Sequence, residues 1–229
     1  MTMRVGLDQS KFQHPGDALV IDLALVPYEQ NKSRKILDLG CGSGGTADYI
    51  QNKGWGEVTG VDLNHDHIKW AQEDYPDVTF YQGNVLQVTD MLKDSFDMVS
   101  MFHLLCVVPE RQKLISQARK MVAVGGALII CDFMALKNSS QSSEEPIAKE
   151  YLKNILSDEG WKITSAEDVT DIYCDWYQRF LDKLNKDRKD IVKYYNLETF
   201  EEMKTKFDKR YMVLKEGSMG GVIIRATAI

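Results

Sequence analysis

The sequence predicts an α/β fold, a doubly wound and mostly parallel sheet. Two observations carry this. Between residues 35 and 133, short apolar runs suited to buried strands alternate with helical patterns. Residues of special chemistry, namely glycines, carboxylates and a histidine, gather where those strands end, which is where ligands bind in open α/β sheets. With 229 residues, 44% of them apolar and 10% aromatic, the chain can build one full core, so residues 1–229 are expected to form a single domain.

Residues 1–30 read as an N-terminal arm followed by a helix, ALVIDLALV with Tyr28, which ends before the polar EQNKSRK. RKILDL is the first strand. A glycine turn leads into the helix TADYIQNKG, closed by Gly54, and EVTGVDL is the second strand. NHDHIKWAQEDY is a helix with Asn64 as its N-cap and Pro76 as its stop. DVTFYQGNV, a short helix or turn VTDMLKDS, and FDMVSMF follow as third strand, connection and fourth strand. PERQKLISQARKMVAV reads as an amphipathic helix opened by Pro109, and GGALIICDFM as the fifth strand.

Beyond the fifth strand the character changes. Residues 134–146 are polar and serine-rich and are expected to form a mobile lid over the strand ends. IAKEYLKNILSDEGW is a helix, WKITSAEDVT a sixth strand and GGVIIRATAI the last. Residues 172–212 read as two aromatic helices forming a cap inserted before the last strand. Tyr173, Trp176, Tyr177, Phe180 and Leu184 recur at helical spacing, a buried stripe.

A net charge of −6 and the lack of a basic run interleaved with aromatics weigh against nucleic acid. Asp22 interrupts ALVIDLALV, and no long apolar segment reads as a signal peptide or membrane span, so a cytoplasmic protein is expected. Cys41, Cys106, Cys131 and Cys174 show no CxxC spacing and read as reduced thiols, with no metal site.

ILDLGCGSGG, residues 36–45, places a carboxylate and four glycines at the end of the first strand. Gly40, Gly42 and Gly45 satisfy GxGxxG, a dinucleotide fingerprint. Asp38 would repel a pyrophosphate, yet it suits a ligand with an ammonium group. Asp62, ending the second strand, is placed to accept from both hydroxyls of a ribose. A nucleoside with an amino-acid tail satisfies both.

At these residues the chain resembles the class I S-adenosylmethionine-dependent methyltransferases, over roughly residues 12–171 and the final strand. The resemblance implies a Rossmann-like seven-stranded sheet in the order 3-2-1-4-5-7-6, with the seventh strand antiparallel. It implies that Asp38, Gly40, Cys41, Gly42, Ser43 and Gly44 surround the methionine end of S-adenosylmethionine, and that Asp62 and Leu63 lie at the ribose. Asn84 and Val85 of FYQGNV would meet the adenine, with Asn84 standing where the family usually has Asp; Met101 on the fourth strand completes the set. HPGD (residues 14–17), SAEDVTD and the aromatic insertion look most like the small-molecule branch of phosphoethanolamine, sterol, tocopherol and mycolic-acid-type methyltransferases.

Methyl transfer is an in-line displacement that depends on alignment, and a placed base adds to it by removing a proton. His103, just past the fourth strand, is the candidate catalytic base, with an ordinary pKa near 6.5. His14, Trp176, Tyr177 and Arg179 are candidate acceptor contacts, and Arg188 a candidate anion clamp. His65 and His67 read as solvated. The expected reaction is methylation of nitrogen or oxygen of a small molecule, by a monomer or homodimer. Carbon methylation of a lipid-like acceptor, a dinucleotide-dependent oxidoreductase and a non-catalytic nucleoside-binding module remain open.

Overall fold

The computed structural model of the chain describes residue 12, residues 14–136 and residues 146–229. At its centre β1 (Lys35–Leu39) runs parallel to β2 (Glu57–Asp62) on one side and β4 (Phe96–Phe102) on the other. β3 (Thr79–Gln82) joins β2, and β5 (Val122–Ala135) joins β4, again in parallel. β7 (Met219–Ala228) inserts antiparallel between β5 and β6 (Trp161–Asp168). The order β3-β2-β1-β4-β5-β7-β6 is the one the resemblance implies, with the two-residue strand Ile147–Ala148 paired beside the end of β5.

Parallel strands need crossover helices, and these bury both faces of the sheet. On one face lie α1 (Asp17–Leu25), α2 (Gly45–Asn52), α3 (His65–Asp74) and the cap helix α7 (Thr170–Lys186). On the other lie α4 (Val88–Met91), α5 (Arg111–Lys120) and α6 (Lys149–Asp158). Strand alternation assigns Ile36, Met98 and Phe102 to the first layer and Leu37, Val99 and Met101 to the second. Buried Arg225 in β7 fastens α1 by donating to the carbonyls of Leu23 and Ala24 and pairs with Glu167 at 2.6 Å.

Three expectations are corrected. The helix expected over 109–124 stops at Lys120, and Val122–Val124 instead begin β5, where the branched side chains suit an extended chain. A register shift opposite Phe96 and Met98 absorbs the extra residues, with Gly125 at φ 87°. The cap has three helices rather than two, α7, α8 (Arg188–Tyr194) and α9 (Leu197–Lys215), because the Asn196 side chain accepts from the backbone of Thr199 and starts a new helix. β5 continues to Ala135, so the lid expected over 134–146 begins as strand. Its residues 137–145, like most of the arm before residue 14, lie outside the described residues.

Candidate active site

The turn after β1 is made by backbone. Gly40 adopts φ 74° and its amide donates to the Val61 carbonyl at 2.8 Å; a side chain here would enter Leu104, whose Cδ1 lies 2.6 Å from a Cβ position. Gly44, at φ 87°, is the N-cap of α2 and faces Phe80 closely. The turn lines a crevice of about 200 Å³ with Asp38, Gly40, Cys41, Gly42, Ser43 and Asp62, and with Gly45 and Thr46 beyond it. His14, His67, Phe102 and His103 close its sides.

Asp38 is buried, and the Ser100 hydroxyl donates to it at 2.8 Å. Burial pushes its carboxyl up to about 7, against the bond from Ser100. Asp62 behaves oppositely. Burial acts to raise it, but the neighbouring His67 and hydrogen bonds from the amides of Asn64 and Gly42 prevail and hold it below the usual range. His67, read from sequence as solvated, is therefore a neighbour of the crevice, 3.5 Å from Asp62. His65 bonds Gln82 instead.

The other expected cofactor residues are placed unequally. Leu63 is exposed beside Asp62, outside the crevice lining. Asn84 caps the 3₁₀ turn Val85–Gln87, its side chain accepting from the Leu86 amide at 2.9 Å, and Val85 is buried next to it. Met101 is fully buried in the layer opposite the crevice, so Ser100 and Phe102, its neighbours, face Asp38 and His14 instead.

His103 lines the crevice and packs against Phe133, which borders a second cavity. It has φ 57°, a left-handed conformation costing about 1–3 kcal/mol for a non-glycine residue, held by its amide's 2.7 Å bond to the Cys131 carbonyl. Its Nε2 is 2.7 Å from the Tyr173 hydroxyl and its Nδ1 is 3.9 Å from Asp132. Burial, then the charges of His14 and Arg210, hold its pKa well below the ordinary value. Burial raises Asp132 to about 6, so it is ionised at neutral pH. That carboxylate favours a proton on Nδ1, leaving Nε2 to accept from Tyr173.

Past the rings of His103 and Phe133, 4.8 Å apart, lies a cavity of about 1010 Å³. α9 supplies most of its lining: Glu198, Glu201 and Glu202 at one end, Lys206, Lys209 and Arg210 at the other, with Cys106, Phe133 and Met219 beneath. Arg210 lies 5.7 Å over the Phe133 ring, and its charge acts on the Tyr177 hydroxyl against the rise caused by burial.

The expected acceptor contacts are redistributed. His14 is buried, bonds Thr46 at 3.0 Å and stacks on Phe102 at 5.1 Å, so it belongs to the crevice. Tyr177 is buried behind Arg210, while Trp176 donates to Asp17 and Arg179, 67% exposed, reaches the same carboxylate at 3.9 Å. Neither Trp176 nor Arg179 lines either cavity, because α7 turns that face toward the arm. Arg188 pairs with Glu201 at 3.6 Å and covers Phe200. Sequence reasoning missed Ser100, Asp132 and Arg210. Of these, only Ser100 carried a local signal, its position two residues before Phe102 on the crevice side of β4.

Residues 37–130 match the family described as a methyltransferase domain. Phosphoethanolamine N-methyltransferase 3 of Arabidopsis thaliana is 24% identical over 188 residues, 74% of this chain and 37% of that relative, so the chain spans little more than a third of its length. Phosphoethanolamine N-methyltransferase 2 of Haemonchus contortus, solved with phosphomonomethylethanolamine and S-adenosylhomocysteine, superposes with TM-score 0.81 at 16% identity, over 95% of this chain and 54% of that one. A cyclopropane synthase of Mycobacterium tuberculosis superposes with TM-score 0.86 at 14% identity, over 96% and 91%. Residues 37–130 are thus similar to a methyltransferase domain, and the fold is that of these solved methyltransferases. Among the described residues no helix is long and apolar enough to cross a membrane.

Proposed function

We propose that the protein transfers the methyl group of S-adenosylmethionine to a nitrogen or oxygen of a small molecule that also bears an anionic group. The carrying observation is His103, which lines a crevice with two carboxylates and packs at 4.8 Å on Phe133, a wall of a cavity with a cluster of cations. In this reading Asp38 meets the ammonium of the methionine end, and Asp62 accepts from the ribose hydroxyls. Leu63, Val85 and Asn84 border the adenine, and the turn Gly40–Gly44 follows the ligand closely with its backbone.

The acceptor enters the larger cavity with its anion on Arg210 and Lys209 and its nucleophile toward His103. The relatives named for phosphoethanolamine methylation support an amine that carries such an anion. Tyr173 and His103 form the proton path. The phenol oxygen takes the acceptor's proton as its own passes to Nε2, and Asp132 stabilises the imidazolium formed. Because Arg210 is one cause of the depressed His103 pKa, an anion that neutralises it makes His103 more basic when acceptor is bound.

The test is transfer of labelled methyl from S-adenosylmethionine to amines and alcohols, each with and without a phosphate or carboxylate. Turnover confined to anion-bearing acceptors supports the reading. Turnover only on neutral lipid-like carbon acceptors overturns it in favour of carbon methylation.

A further inference from the structure

At the wall between the two cavities three side chains converge, His103 and Cys106 from the loop after β4 and Asp132 from β5. The ligating atoms of His103, Cys106 and Asp132 all lie within 4.8 Å of one another. A tetrahedral ion with bonds of about 2.0–2.3 Å sets its ligands roughly 3.3–3.8 Å apart, and His103 Nδ1 is already 3.9 Å from Asp132. The Cys106 thiol donates to the His103 carbonyl at 3.5 Å, and a small side-chain rotation that releases it closes the remainder.

The frame around the cluster is built as metal sites are. The backbone amide of Cys106 donates to Asp132 at 3.1 Å, that of Phe133 to the other carboxylate oxygen at 2.7 Å, and His103 is tied to Cys131. The second imidazole nitrogen has its own partner in Tyr173, the outer-shell bond that fixes a ligating histidine. Cys106 lines the acceptor cavity, giving an entry path and an open fourth position.

We propose that His103, Cys106 and Asp132 bind a borderline divalent cation of the zinc class, and that its binding inhibits transfer. Nitrogen, sulfur and oxygen donors together suit this class rather than magnesium or calcium. On binding, the thiol proton leaves to solvent and the imidazole proton moves from Nδ1 to Nε2, which then donates to Tyr173. His103 has no free electron pair left to accept a proton. The inhibitory half rests on the role given to His103 above; the site itself does not.

Metal-free protein is titrated with Co²⁺, read as a thiolate-to-cobalt absorption band, with Zn²⁺ as competitor and no acceptor present. One equivalent is expected, with affinity at least tenfold weaker in Cys106→Ser. Zn²⁺ should also protect Cys106 of the unaltered protein from alkylation, a readout that needs no variant. Absence of the band, or equal binding by Cys106→Ser, overturns the site. Zn²⁺ should lower turnover of the unaltered protein while sparing Cys106→Ser, each relative to its own zinc-free rate. A bound ion that leaves turnover unchanged overturns the inhibition alone.

Discussion

The crevice lined by His103 and the larger cavity beyond Phe133 are built by opposite means. The crevice is made mainly by two short runs of chain, residues 38–46 and 62–67, whose backbone and two carboxylates form most of its surface. The larger cavity draws side chains from the end of β4, from β5 and β7 and from one long helix, and its end nearest His103 is cationic. A ligand that is the same in many proteins can be held by a compact turn. An acceptor particular to one enzyme is met by side chains on an appended helix, which can vary without disturbing the sheet. The charges also suit the proposed reaction, in which the positive methyl donor would sit among carboxylates and an acceptor anion among cations.

The largest expected effect falls at the junction. His103→Ala should lower kcat by about 10²–10⁴-fold with little change in cofactor affinity, measured at saturating concentrations of both substrates. Tyr173→Phe should also lower kcat and shift its pH profile, whereas a purely structural tyrosine would leave the profile in place. On the crevice side, Asp62→Ala should weaken S-adenosylhomocysteine binding about 100-fold, since the carboxylate accepts from the Gly42 amide and, in the proposed reading, from the ribose. On the cavity side, Arg210→Met should raise the acceptor KM by about 10–100-fold and leave cofactor Kd unaltered. A variant at either place that moved both constants equally would erase the division.

A pH effect separates the two carboxylates of the crevice. With its carboxyl near 7, Asp38 is protonated and neutral below that pH in the free protein, so a ligand ammonium must expel the proton to pair with it. Cofactor affinity should therefore fall by about tenfold per pH unit on acidification below 7, and Asp38→Asn should flatten this dependence. Asp62, held low by its hydrogen bonds, stays ionised through the same range. The smallest effect belongs to Arg179→Ala, which should change the acceptor KM by less than about twofold, as expected of an exposed ion pair remote from the cavity.

How much of this the sequence shows follows the same division. Asp38 and the glycines of 40–45 are contiguous, and Asp62 ends a strand, so both were legible from local pattern alone. The fourth-strand histidine was legible for the same reason. Met101 was assigned to the crevice although alternation from Ser100 and Phe102 turns it to the other layer. His67 looked solvated because its contact to Asp62 depends on how α3 leaves the strand. Asp132 and Tyr173 come together with His103 across 29 and 70 positions, a convergence no spacing rule reveals. Arg210 is one cation in the charged run KTKFDKR, and only the docking of α9 over Phe133 distinguishes it. The outward turn of Trp176 and Arg179 was equally hidden, since the stripe gives the buried face but not which neighbour covers it.

The most direct test of the central claim is a calorimetric titration of the protein and its Asp62→Ala variant with S-adenosylhomocysteine, with NADH in parallel. The account predicts micromolar binding of the adenosyl ligand by the unaltered protein, a loss of about 100-fold in the variant, and no heat from NADH. Binding of NADH without S-adenosylhomocysteine, or adenosyl binding indifferent to Asp62, would contradict it.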